Sequence, residues 1–402
     1  MRHPVEHPRN EPPRMSTTER TLVRTLAPAT VFLVALCLRP PLTAVGPLLP
    51  QLGPDLGLGE GAQGLLGALP LLAFAAASPL VHRLSERTGP ERAILVALLA
   101  LAVATLARPF TGTAGLWLAT GAIGVAIAVG NVLVPALVKR DFGRRVSLAT
   151  GAYTACIAGA AATASALAVP LADATSWRVA LASSAGLVVL VAVAWAPRAR
   201  RAGPPVPHVP DPDAAPVTSV WRQSTAWWLT AFMGLQSTVF YVLVTWLPTV
   251  EGTQGVTATA AGVHLFVYQG LGIVGGLAVP ALLHRGPDER LGAVAASAPA
   301  LVALLGLLLA PDLVVLWVVV AGLGQGAALV VALSLVALRG RDQRETARLS
   351  GMAQSLGYLL AAAGPVAAGV LTEATGSWRP ALLVLTALAA VQVGVAWRVG
   401  RA

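Results

Sequence analysis

The sequence predicts an all-α integral membrane protein with twelve transmembrane helices in two six-helix, pseudo-symmetric bundles. Three observations carry this. The 402-residue chain is 56% hydrophobic and only 11% charged, against about 25% charged in soluble domains. Its apolar residues gather in runs of roughly 15–25 bounded by charge, Pro or Gly, the length a helix needs to cross a bilayer. The chain also repeats itself. Ser176-Trp177-Arg178-Val179-Ala180-Leu181 returns as Ser377-Trp378-Arg379-Pro380-Ala381-Leu382, an offset of 378 − 177 = 201. Leu116-Trp117 returns as Leu316-Trp317, and Lys139-Arg140-Asp141 as Arg339-Gly340-Arg341-Asp342. Two halves of about 200 residues repeated in the same direction are one signature of membrane proteins that enclose a substrate site between two bundles.

Taken in order, the expected spans are 25–51, 63–82, 92–108, 114–138, 147–171 and 178–196, then 226–249, 257–283, 290–310, 313–338, 347–371 and 379–398. The third is short, and Arg92 and Arg108 at its ends can snorkel to the interfaces. Residues 1–24 read as a disordered cytoplasmic tail rather than a signal peptide, because they are polar, charged and contain Pro. The bundles span 25–196 and 226–398. A linker at 197–225 is kept extended by Pro197, Pro204, Pro205, Pro207, Pro210, Pro212 and Pro216. Residues 399–402 form the C-terminus.

The formal net charge of +10 is a topology signal rather than a nucleic-acid one. The N-terminal tail and every second loop are basic (Arg83 and Arg87, Lys139 and Arg140, Arg198 and Arg222, Arg285 and Arg290, Arg339 and Arg341, Arg398). The intervening loops carry Asp55, Glu60, Asp173, Glu251, Asp312 and Glu373, with Arg108, Arg178 and Arg379 as their cations. The positive-inside rule then places both termini in the cytoplasm of a multi-pass protein in the cytoplasmic membrane. The expected partners are the lipid bilayer and a small-molecule substrate, with no nucleic acid. Cys37 and Cys156 lie in separate spans and read as core residues, so no metal or cofactor is expected.

Arg39 is the sharpest candidate for function. It lies 39 − 24 = 15 residues beyond Arg24, about 22 Å along a helix. A guanidinium near the bilayer centre costs from about 3 to above 10 kcal/mol, depending on the method, unless a wet cavity or a partner receives it. No Asp or Glu falls inside any span as drawn. A substrate anion is therefore one reading, favoured by the fixed fork of donors. Bonds to the carbonyls freed by Pro40 and Pro41 are the other. Asn131, Gln236, Tyr241, Gln269, Gln325, Gln354 and Tyr358 are the remaining candidates for a polar central site, each of them equally able to bond between helices. His264 is the candidate proton-coupling group.

The loop after the second span, Arg83-Leu84-Ser85-Glu86-Arg87-Thr88-Gly89-Pro90-Glu91-Arg92, resembles the G-x-x-x-D-R-x-G-R-R-like motif of the major facilitator superfamily. Glu86, Arg87 and Gly89 fit it. His82 stands for the first Gly, and Pro90-Glu91 departs from the basic pair. The resemblance implies a latch at the cytoplasmic face built on Glu86, Arg87 and Gly89. Longer stretches resemble the cyanate and 2-nitroimidazole permease branch: Leu38-Arg39-Pro40 with Gly46-Pro47-Leu48-Leu49-Pro50, and Gly130-Asn131 with Pro135 and Lys139-Arg140-Asp141-Phe142. So do Gln236, Tyr241 and Trp246-Leu247-Pro248, and Leu349-Ser350-Gly351-Met352-Ala353-Gln354-Ser355 with Gly357-Tyr358. The branch implies a secondary transporter for a small polar or anionic organic compound, working by alternating access. An exporter of drugs or toxic metabolites is the second expectation. An intramembrane enzyme is disfavoured, because no His and carboxylate cluster falls inside a span.

Overall fold

The computed structural model describes residues 29–203, 219–283, 288–341 and 343–401. The expected N-terminal tail, most of the linker (204–218), Arg285 and Asp342 lie outside the described residues. Among those described, twelve helices are long and apolar enough to cross a membrane. In the first half they are α1 (Ala29–Leu56), α2 (Glu60–Thr88), α3 (Pro90–Ala107), α4 (Gly112–Phe142), α5 (Val146–Ala174) and α6 (Trp177–Arg201). In the second they are α7 (Ser224–Gly252), α8 (Ala258–Leu283), α9 (Arg290–Leu309), α10 (Val314–Arg339), α11 (Gln343–Thr375) and α12 (Trp378–Val399).

The repeated Ser-Trp-Arg is a helix start. Ser176 accepts a hydrogen bond from the Val179 amide at 3.3 Å, and Ser377 accepts one from the Arg379 amide at 3.2 Å, so each opens the last helix of its half. The second span departs from expectation. Its helix continues through Thr88, which puts Glu86 and Arg87 on the closing turns of α2 rather than in a loop. Gly89, at φ +81°, turns the chain into α3.

α1 is broken. Pro40 and Pro41 supply no amide hydrogens, and Pro40 disfavours helical geometry at the residue before it. The helix stops at Leu38-Arg39 and resumes as Pro40–Thr43 and then Val45–Leu56. Arg39 therefore sits in a gap, at φ −120° and ψ −37°.

The end of the molecule that carries Asp55, Glu251 and Glu373 is called here the acidic end, and the opposite one, with Lys139, Arg198 and Arg339, the basic end. The packing differs between them. At the acidic end one apolar core runs through both halves, joining Leu48, Leu49 and Trp177 to Leu243, Trp246 and Trp378. At the basic end the core forks. One branch, with Leu38, Ile94, Ile127 and Trp195, belongs to the first half. The other, with Phe232, Met233, Val331 and Leu349, belongs to the second. Across the seam α2 lies along α11, α5 along α8, and α1 against α7. Close approach depends on missing side chains: a Cβ on Gly46 would meet the Val244 carbonyl, one on Gly64 the Pro365 carbonyl, and one on Gly369 the Glu60 carbonyl. Glu373 adds a polar clasp at this end by accepting the Gly61 amide at 2.9 Å.

Candidate functional site

The site is built where the core forks. From the gap in α1, Arg39 donates through Nη1 to the Tyr241 hydroxyl on α7 at 2.7 Å, a bond between the two halves. The Tyr358 and Tyr153 hydroxyls also lie within electrostatic reach of its guanidinium. Tyr358 meets Tyr241 edge-on at 6.5 Å between ring centroids, and Phe74 at 5.1 Å. Tyr241 meets Phe240 at 5.1 Å, and Phe240 stacks on Tyr268 at 6.0 Å. All four tyrosines of the chain thus gather here, three beside Arg39 and the fourth one ring away. A cation ringed by neutral hydroxyls and aromatic edges suits a small planar anion. The guanidinium supplies charge and direction, while the rings supply apolar walls.

A backbone carbonyl beside the α1 break is served by a different arginine. Arg108, buried at 1% exposure, donates Nη1 to the Pro41 carbonyl at 2.8 Å. Read from sequence as a loop cation, it is an internal strut. Thr43 and Ser165 complete the repair: Thr43 donates to the Ala161 carbonyl at 3.0 Å, and Ser165 donates to the Thr43 carbonyl at 3.1 Å. Gln269 on α8 then donates to Ser165 Oγ at 2.9 Å, tying the second half to the mended helix.

The other candidates divide. Asn131 is partly buried on α4, and its neighbour Gly130 meets the side chain of Leu38 at the α1 break. Gln236 is buried but turned to its own helix, donating to Ser237 Oγ at 2.6 Å and facing Met233 Sδ at 3.4 Å. Gln354 donates to Ser350 on its own helix at 2.7 Å. Gln325 is buried with neither amide atom bonded among the described residues.

His264 has a partner that the drawn spans excluded. α7 runs on through Glu251, whose side chain is fully buried, and Glu251 Oε2 lies 3.0 Å from His264 Nδ1. The reading that no carboxylate falls inside a span is thereby corrected. The apolar run ends near Val250, but the helix runs on to Gly252, and Glu251 on its closing turn is still buried. Glu251 Oε1 has no hydrogen-bond partner among the described residues. A buried, half-satisfied carboxylate of this kind is costly as an anion.

At the basic end Glu86 and Arg87 are exposed. Other charges at this end tie helix ends together: Arg140 bonds Glu91 at 2.7 Å and Asp141 at 2.9 Å, and Asp141 pairs closely with Arg198. The second half echoes this with Arg339 on Glu289 at 2.9 Å. In both halves an arginine lies over a tryptophan, Arg198 over Trp195 at 4.7 Å and Arg290 over Trp397 at 5.2 Å.

The family model for the Major Facilitator Superfamily matches residues 31–337. The chain is 37% identical over 370 residues to an uncharacterized transporter of Bacillus subtilis, covering 89% of each. It is 36% identical over 356 residues to the 2-nitroimidazole transporter of Escherichia coli, covering 88% of this chain and 90% of that one. It is 29% identical over 351 residues to the cyanate transport protein of the same organism, covering 87% and 90%. Among solved structures, a bacterial homolog to the human lysosomal transporter Spinster, in its inward-facing and occupied conformation, superposes at a TM-score of 0.72. It shares 15% identity and covers 96% of this chain and 97% of that one.

Proposed function

The chain belongs to the Major Facilitator Superfamily, in its cyanate and 2-nitroimidazole transporter-like branch, and from that premise we propose that it carries a small organic anion by alternating access, with Arg39 as the anchor. The observation that supports this reading is the Arg39–Tyr241 bond, which joins the halves where the shared core divides. A ligand that takes the guanidinium competes with Tyr241 and acts on the seam itself. By the positive-inside rule the basic end is cytoplasmic and the described conformation is closed toward the outside. Opening it separates Gly46 from Val244 and Gly61 from Glu373.

The coupling proton resides on the Glu251–His264 pair, near the outer mouth, where opening wets a carboxylate that is dry when closed. Glu251→Gln, uncharged at every pH, abolishes the dependence of uptake on external pH in proteoliposomes. An unchanged pH profile would remove the proton from this pair.

The leading test is a thermal-shift screen of purified wild type and Arg39→Ala against small carboxylates, neutral azoles and lipophilic cations. Ligands that bind the folded state raise its apparent stability. Stabilisation by an anion, lost in Arg39→Ala, is the expected result. Stabilisation by lipophilic cations, equal in both proteins, would favour the drug exporter instead.

A further inference from the structure

We propose that the first bundle holds a second anion site at its acidic end, built on Arg108 and Arg178 and shaped for a phosphate or carboxylate group. The Pro41 carbonyl uses only one of the three nitrogens of Arg108. Nε and Nη2 are buried and have no hydrogen-bond partner among the described residues, and no carboxylate pairs with Arg108 there. A guanidinium held dry with two donors unused is costly. Arg108, itself only 1% exposed, is one of the residues around a cavity of about 200 Å³, together with Leu56, Phe110, Gly112, Trp177 and Arg178, room for a phosphate-sized ion.

Two further features of the cavity favour an anion. Gly112 opens the long helix α4, whose first turn has no side-chain cap, since the Thr111 hydroxyl donates back to the Ala107 carbonyl. The amides of that turn and the helix dipole point positive charge at the cavity. Arg178 is held in place with its guanidinium 4.3 Å from the Trp177 ring centroid and its Nη1 2.9 Å from Asp55 Oδ2. Asp55 also accepts the Trp177 indole N–H at 2.9 Å. The one carboxylate therefore balances Arg178, and the charge of Arg108 is left for the ligand. Phe110 is exposed at the rim, just past the end of α3, so the anion comes either from solution or from a lipid phosphate.

The test is the apparent Tm of the purified full chain titrated with inorganic phosphate at constant ionic strength, in nanodiscs of phosphatidylcholine or phosphatidylglycerol. Arg108 also supports α1, so the working variant is Arg178→Gln, which leaves the Pro41 bond intact. The expected result is a saturable rise in Tm, with half-saturation shifted about tenfold or more in Arg178→Gln and unchanged in Arg39→Ala. If phosphatidylglycerol raises Tm and removes the phosphate response, the source is lipid. If the response persists there, the source is the free ion. A flat titration in both lipids, or equal responses in wild type and Arg178→Gln, would overturn the site. Loss of the response in Arg39→Ala would move it to the centre of the molecule. None of these readouts requires transport, so the result stands apart from the proposed function.

Discussion

Arg39 and Arg108 belong to one bundle, and both touch the same interruption in α1, yet they are used in opposite ways. Arg108 gives a donor to the Pro41 backbone carbonyl. Arg39, next to the prolines in sequence, turns away from them and bonds a side chain of the other half. A backbone carbonyl moves only if the helix does, whereas a tyrosine hydroxyl can be exchanged for a ligand. The first bond fixes α1, and the second is available to change. Two arginines, Arg39 half-buried and Arg108 fully buried, thus separate into a ligand-binding candidate and a structural group by the kind of partner each has.

Substitutions at the two positions should produce crossed effects. The largest is expected from Arg39→Ala in ligand binding. Removing one side of a desolvated charge contact costs about 2–5 kcal/mol, at least thirtyfold or so in affinity, while the apparent Tm changes little. Arg108→Ala should do the reverse. It strands the Pro41 carbonyl, a penalty of about 1–3 kcal/mol, and lowers Tm, with ligand affinity kept in the fraction that remains folded. Both quantities come from one thermal-shift titration, and a variant pair that loses both in parallel would erase the distinction. The smallest effect is expected from Tyr241→Phe, which keeps the contacts with Phe240 and Tyr358 but deletes the hydroxyl, about 0.5–1.5 kcal/mol. A loss as large as that of Arg39→Ala would sharpen the picture by making the Tyr241 hydroxyl a ligand contact in its own right.

The duplicated Ser-Trp-Arg was legible in sequence because its cause is local: a capping serine is read from one turn of helix. The spans and the break at Pro40-Pro41 were legible for the same reason. What was not legible depends on contacts between distant segments. Arg108 looks like an ordinary loop cation until the chain brings it to Pro41, 67 residues earlier in sequence. Glu251 looks like an interfacial acid until α7 is seen to bury its last turn beside His264. Gln236 has the right depth and polarity for a central site, but Ser237 and Met233 satisfy it first. Polarity at a given depth is read from sequence, whereas direction of facing is set by packing.

The Arg108–Pro41 bond also bears on how the chain is made. A ribosome adding about 5–20 residues per second produces Arg108 roughly 3–13 s after Pro41, 67 positions later. During that interval the first span has a guanidinium near its middle, and the Pro41 carbonyl is without its arginine donor. That segment should be held at the translocon or by a chaperone until α3 arrives. An early stall, or a truncation that ends before Arg108, should therefore be more readily degraded than one that ends just after it.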